Sequence, residues 1–208
     1  MAEDLGKIEK PAAESFKAGR KLYFVPLLFS PRDPKPDYLQ LIEKYWQEVE
    51  THVSNLETKL GRVNRVYHEL VPAGGDEGMK VVAELNPGSF ALAKSRVDKA
   101  AALEAMEDPE LLTEFMDWNK CLSVGLQNEK VFKQVFDAYQ EAFKKRNAWV
   151  IKNIEETLKD GETGLLLMRE GLGIQFPSDI QFFYISPPSL DEIKRWFRSR
   201  ETPPGGQN

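Results

Sequence analysis

The chain has 208 residues, of which 41% are hydrophobic and 29% are charged, as is typical of a globular protein with one good-sized core. The net charge of -5 argues against a nucleic-acid binder, because such proteins use Lys and Arg to replace the counterions of the phosphate backbone. The single cysteine, Cys121, excludes an internal disulfide and a cysteine zinc cage, and we expect it to be a small buried hydrophobic residue.

The N-terminal residues include acidic side chains and lack the apolar core of a signal peptide. No apolar run approaches the ~18 residues that a membrane helix needs. We therefore expect a cytoplasmic protein with no membrane association. By composition, residues 1–20 predict a partly disordered N-terminal arm, residues 21–200 a single α/β domain, and residues 201–208 a disordered tail.

The first part of the domain alternates strand and helix patterns. Residues 22–29 predict a buried strand, in which Pro26 indicates an edge position or a bulge. Apolar residues at helical spacing then predict a helix that begins at Asp37 as its cap and ends at Leu60, before Gly61. Residues 63–71 predict a second strand.

A helical block is predicted over residues 76–160. Its first helix ends at Asn86, because the following proline disfavours helix before it. Ser89 is expected to cap a second helix that continues through Met106, and the Asp108–Pro109 pair begins a third. Residues 128–158 then predict one long amphipathic helix.

Two short strands, at residues 164–168 and 180–185, complete the predicted sheet. Ser189 and Glu192 have the spacing of a capping box for a final helix. The succession predicts a helix-rich α/β fold with a small central sheet of about four strands and a large helical insertion.

Glu69 and His68 are the first candidate site residues. They are neighbours on the predicted second strand, so their side chains point to opposite faces and cannot chelate one ion from regular strand geometry. Glu69 lies near the carboxyl end of that strand, where open α/β sheets bind ligands. An ordinary salt bridge between Glu69 and an arginine is the alternative.

Three further charged residues extend this candidate site. Arg169 and Glu170 follow the strand at residues 164–168 and would reach the same rim if the strands are parallel, where the alternative is a structural ion pair. Arg146 falls on or beside the apolar stripe of the long helix, where a guanidinium needs a carboxylate partner or an anionic ligand. The candidate ligand-binding residues are Glu69, Arg146, Arg169, Glu170 and His68.

Several parts of the chain resemble the TraB/GumN/Tiki-like superfamily in their order. These are the strand that ends at residues 67–70, the Arg146–Asn147 pair in a long helix, and the closing strand–turn–strand from Gly164 to Ile185. The resemblance implies an α/β fold in which Glu69 and Arg146 face one pocket. Metal-dependent members also carry two histidines there, but the corresponding segments, residues 23–27 and 168–172, contain none. We therefore expect no metal and no cofactor.

Three functions are compatible with these patterns. The first is a binding or regulatory protein on a TraB-like scaffold, which holds a small anionic ligand or a protein partner. The second is a hydrolase that uses the carboxylates of Glu69 and Glu170 as acid and base, with His68 as a further candidate. The third is a structural protein that forms a homo-oligomer through its long amphipathic helices.

Overall fold

The computed structural model describes residues 18–31 and 33–201, with Glu201 described by its backbone alone. Most of the predicted arm and of the predicted tail therefore lies outside the described residues. The helices are α1 (Pro36–Leu60), α2 (Gly75–Leu85), α3 (Pro87–Val97), α4 (Pro109–Ser123), α5 (Glu129–Thr157) and α6 (Pro188–Glu201). The strands are β1 (Arg20–Pro26), β2 (Arg65–His68), β3 (Ala102–Leu103), β4 (Thr163–Met168) and β5 (Ile180–Tyr184).

The strands described form one parallel sheet in the order β3-β2-β4-β1-β5. Helices α1, α2, α3 and α6 pack on one face of this sheet, around a core that includes Tyr45, Val49 and Leu165. Helix α5 and the residues after β4 cover the other face, where Val150 and Ile154 contact the second core. The α/β fold predicted from the sequence is thus confirmed.

The direction of the connections changes in the middle of the sheet. From β1 through β2 to β3 the chain moves toward one edge, and from β3 through β4 to β5 it moves toward the other. The loops that leave β2 and β4, which are neighbours, therefore run in opposite directions. Such a switch point opens a crevice at the carboxyl ends of the strands, and open α/β sheets bind their ligands there.

The fifth strand, β3, lies where the sequence predicted the end of a helix. Helix α3 stops at Val97 instead of continuing through Met106. The amide of Ala100 donates to the carbonyl of Val97 and that of Ala101 to the carbonyl of Arg96, with Ala100 at a φ of 73°. This is a Schellman end with alanine in place of the usual glycine, so no glycine in the sequence marks the stop.

Two predictions about local geometry were wrong. The first inferred from Pro26 an edge position or a bulge, but β1 lies between β4 and β5 and pairs with both in continuous register. Its pairing with β5 ends at Phe24, so Pro26 falls after the last pair and removes no bond from that ladder. The second placed Cys121 in the core, but its side chain is exposed.

The helix starts also differ from the predicted caps. Lys35 and Asn86 are the N-cap residues of α1 and α3, in place of Asp37 and Ser89. Ser189 lies inside α6, and its amide donates to Glu48 rather than taking part in a capping box. No helix within the described residues is long and apolar enough to cross a membrane.

We expect Ala100→Gly to stabilise the protein by about 0.5–1 kcal/mol. An L-residue in the left-handed region costs about 1–2 kcal/mol, and glycine removes that strain but gives up part of the gain to its unfolded-state entropy. Gly161→Ala is the reciprocal control, because Gly161 has a φ of 74° with nothing within 4 Å of an added Cβ. Urea unfolding measures the change in the free energy of unfolding, which should rise in Ala100→Gly and fall in Gly161→Ala. A destabilised Ala100→Gly variant would contradict the left-handed conformation assigned to Ala100.

Candidate functional site

Glu69 lies at the switch point, directly after β2. Its amide donates to the carbonyl of Leu167 at 2.9 Å, which extends the pairing with β4 by one residue. Leu70 then adopts a φ of 69° and turns the chain away from the sheet. The Glu69 side chain is fully buried on the α5 side, and a buried carboxylate is stable only when it is paired and hydrogen-bonded.

Arg169, the first residue after β4, supplies most of the hydrogen bonds to Glu69. Its backbone amide donates to Oε2 at 2.8 Å, its Nη2 donates to Oε1 at 2.6 Å, and its Nε lies 3.0 and 3.1 Å from the two carboxylate oxygens. The pair joins the ends of two neighbouring strands. The Arg169 side chain nevertheless remains partly accessible, because 42% of it is exposed.

Arg146 links the Glu69–Arg169 pair to a second carboxylate, that of Glu107. It projects from α5, and its Nη2 lies 3.4 Å from Oε1 of Glu69. Its Nε donates to Oε2 of Glu107 at 2.8 Å, and its Nη2 also donates to Oε1 of Glu107. Glu107, which follows β3, accepts the amide of Leu70 at 3.0 Å. We call Glu69, Glu107, Arg146 and Arg169 the charge cluster.

The charge cluster keeps Glu69 ionised. Burial alone would raise the pKa of the Glu69 carboxyl, but the hydrogen bonds and charge of Arg169, together with the charge of Arg146, outweigh it and lower that pKa. The hydrogen bonds to Glu69 raise the pKa of Arg169 in turn, against the effect of burial. Glu69 is therefore a fixed anion that holds guanidinium groups in place.

The cluster leaves one buried nitrogen unsatisfied. Nη1 of Arg146 is buried and has no hydrogen-bond partner among the described residues. A buried donor without a partner costs about 1–3 kcal/mol, so such a group calls for a specific explanation. The Arg146 guanidinium lies 4.9 Å from the centre of the Phe115 ring, which separates it from a surface cavity.

That cavity, which we call the hairpin cavity, lies beside the hairpin of α4 and α5 and has a volume of about 390 Å³. Most of its wall is apolar or aromatic, formed by Phe29, Leu70, Phe115, Met116, Tyr139 and Leu172. Asn119 and Arg169 are its polar lining residues. Its size falls within the ~300–1,000 Å³ of small-molecule sites.

A second cavity, of about 250 Å³, lies on the other side of Arg169. We call it the loop cavity, because residues 169–174 form much of its wall. Glu170 lines it as well as Arg169. Arg169 is therefore accessible from both cavities, but only the loop cavity also contains a carboxylate.

Glu170 does not bind the charge cluster. It accepts hydrogen bonds from the Tyr184 hydroxyl and, at 2.9 Å, from Nζ of Lys194. Burial would raise the pKa of Glu170, but these two partners lower it. The structure thus brings Glu69, Arg146 and Arg169 together and leaves Glu170 beside them with partners of its own.

His68 points to the opposite face of the sheet from Glu69, as the strand alternation predicts. Its ring is fully buried, with Nδ1 2.7 Å from the carbonyl oxygen of Glu69 and Nε2 2.8 Å from Oγ of Ser89. Because a carbonyl can only accept, Nδ1 carries a hydrogen, and the Ser89 hydroxyl can donate its one hydrogen either to Nε2 or to the Asn86 carbonyl 3.1 Å away. Burial lowers the pKa of His68, although the Glu69 carbonyl and charge act in the other direction.

Sequence reasoning missed Glu107 and assigned Ser89 a different role. Glu107 was overlooked because β3 was predicted as helix, so no strand end was recognised there. The sequence feature that could have located Glu107 is the Asp108–Pro109 helix start, because Asp108 does cap α4 and Glu107 directly precedes it. Ser89 was taken for a helix cap, whereas its hydroxyl contacts His68.

Known proteins add no functional information to this geometry. Comparison with protein families, curated proteins and solved structures finds no match to the chain. Among the described residues, no group of three or more His, Cys, Asp or Glu is arranged to hold a metal ion. The geometry of the charge cluster and its two cavities is therefore the basis for inferring a function.

We expect Glu69→Ala to destabilise the protein by about 1.5–3 kcal/mol, because the amide and guanidinium of Arg169 lose their carboxylate acceptor, whereas Arg146 keeps its hydrogen bonds to Glu107. Glu170→Ala is the matched control, since its ion pair is partly exposed and worth about 1 kcal/mol or less. Urea unfolding at neutral pH measures both. Equal effects of the two variants would show that the buried cluster has no special energetic role.

We expect His68 to make the protein less stable as the pH falls below about 6.5, the pKa of an unfolded-state histidine. The unfolded chain then takes up a proton that the buried ring resists, so stability is lost between that pH and the lower pKa of the folded state. His68→Asn should flatten this dependence in urea unfolding between pH 7.5 and 5. His52→Asn, which removes the other of the two histidines, is the control; a dependence that disappears only in that variant would refute the assignment.

Proposed function

We propose that the protein binds a small anionic ligand, without a metal, at the carboxyl edge of its sheet, and that it acts as a binding or regulatory protein in the cytoplasm. The observation that carries the proposal is the position of Arg169. Its guanidinium is fixed by a buried carboxylate at the switch point of the sheet, and Arg169 lines two cavities.

A fixed guanidinium suits anion recognition for a physical reason. Arginine recognises carboxylates and phosphates through a planar set of donors. The hydrogen bonds to Glu69 occupy Nε and Nη2 of Arg169 and hold the group in one orientation before a ligand arrives. Such preorganisation lowers the entropic cost of binding.

Binding is better supported than hydrolysis. A general base needs a pKa near the working pH, whereas hydrogen bonds and cationic partners lower the pKa of both Glu69 and Glu170. Glu69 also accepts hydrogen bonds at both oxygens from Arg169, which leaves it poorly placed to take a proton from a substrate.

Helix-mediated self-association is a second candidate. It is favoured by the apolar side chains that the first half of α5 exposes, among which Phe132 is 46% and Phe136 40% accessible. The resemblance to TraB/GumN/Tiki-like proteins likewise stays a prediction, and the anion-binding proposal does not depend on it.

We expect sodium acetate, used as the simplest probe, to bind the wild-type protein saturably with a dissociation constant in the millimolar range, measured by calorimetry in an otherwise anion-poor buffer. Arg169→Gln should abolish this binding, and Arg169→Lys should weaken it because lysine lacks the planar fork. Arg195→Gln, an equal change of charge at an exposed position of α6, should leave it intact.

Two results would contradict the proposal. The first is acetate binding that survives Arg169→Gln in a variant shown to be folded by circular dichroism. The second is a stoichiometric zinc or manganese ion in native mass spectrometry of the purified protein, which would replace the non-metal site with a metal centre.

A further inference from the structure

We propose that the ligand is a monocarboxylate with an aromatic or similarly flat apolar body, bound in the hairpin cavity with its carboxylate on Arg169. This inference rests on the proposed anion-binding function and specifies its ligand class. Three properties of the site support it: the charge of the cluster, the charge lining each cavity, and the walls of the hairpin cavity.

The charge cluster favours a single negative charge on the ligand. Its two carboxylates and two guanidiniums cancel formally, and both carboxylates have fully buried side chains. A monoanion would therefore leave the site with one net negative charge, and a phosphate dianion would leave it with two. Among anions, the monoanion adds less uncompensated charge to the cluster and is therefore a better fit than the dianion.

The charged side chains that line the two cavities indicate which cavity receives the ligand. The hairpin cavity contains Arg169 as its charged lining residue, whereas the loop cavity contains Arg169 and Glu170. An anion in the loop cavity would face the Glu170 carboxylate, which Lys194 neutralises only in part because that pair is exposed to solvent. The hairpin cavity carries no such opposing charge.

The walls of the hairpin cavity select the body of the ligand. Phe115 and Tyr139 lie with ring centres 5.5 Å apart on one side, and Phe29 lies 6.0 Å from the Arg169 guanidinium on another. Aromatic walls favour flat ligands that can stack or meet them edge to face. Asn119 adds one amide that can donate to the ligand or accept from it.

Benzoate, acetate, phenyl phosphate and benzamide test the inference by calorimetry on the full chain. We expect benzoate to bind about tenfold or more tightly than acetate, because the apolar body adds buried surface. Phenyl phosphate should bind more weakly than benzoate, because it carries the second charge. Benzamide, which has the same shape without the charge, should bind about tenfold or more weakly as well.

A matched pair of variants tests the location. Met116→Glu places a negative charge in the wall of the hairpin cavity and should weaken benzoate binding about tenfold. Val131→Glu makes the same change at an exposed position of α5 outside that wall and should leave it unchanged. Both positions are at least 36% exposed, so neither change buries a charge in the core.

The outcomes separate this inference from the function on which it rests. Equal affinity for acetate and benzoate, or tighter binding of phenyl phosphate, would overturn the ligand class while anion binding through Arg169 survives. Benzoate binding that Met116→Glu leaves unchanged would overturn the location. If none of the anions binds, the proposed function fails together with the inference.

Discussion

The fold is organised around one buried carboxylate. Glu69 lies where β2 ends, and it would be too costly to bury there if Arg169 and Arg146 did not approach it from β4 and α5. The requirement acts on all of these elements at once, because each donor must arrive at a fixed distance and angle. Through Glu107, the same contacts also position the segment after β3 and the turn at Leu70.

The charge cluster has a buried part, formed by Arg146 and Glu107, and a partly exposed part, formed by Arg169. Arg146 and Glu107 are buried behind Phe115 and hold the hairpin of α4 and α5 against the end of the sheet. Arg169 forms the outer layer, because Glu69 holds one edge of its guanidinium while the residue lines both cavities. Buried ion pairs are weak evidence for stability alone, and here the pairing also explains how an arginine can be kept rigid at a surface.

The sequence carried enough information to locate most of the charge cluster. Side-chain alternation along β2 separates His68 from Glu69, and the helical period places Arg146 on the apolar stripe of α5. The same alternation, applied to Arg169 and Glu170, explains why these neighbours have different partners. Glu107 could not be found in this way, because the turn that follows α3 has an alanine at its left-handed position, where glycine is usual, and the strand before Glu107 has only two residues.

The cluster joins parts of the chain that are far apart in sequence. Glu69 and Arg169 are separated by 100 residues, and Glu69 and Arg146 by 77. While the chain is still open, these groups stay hydrated, since desolvation before the partner arrives is unfavourable. Their attraction is thus expected to form after the folding transition state, so that its loss accelerates unfolding and leaves the folding rate nearly unchanged. Stopped-flow measurements of the folding and unfolding rates of Glu69 variants would detect this order of events, in which the cluster forms last and slows the unfolding of the native state.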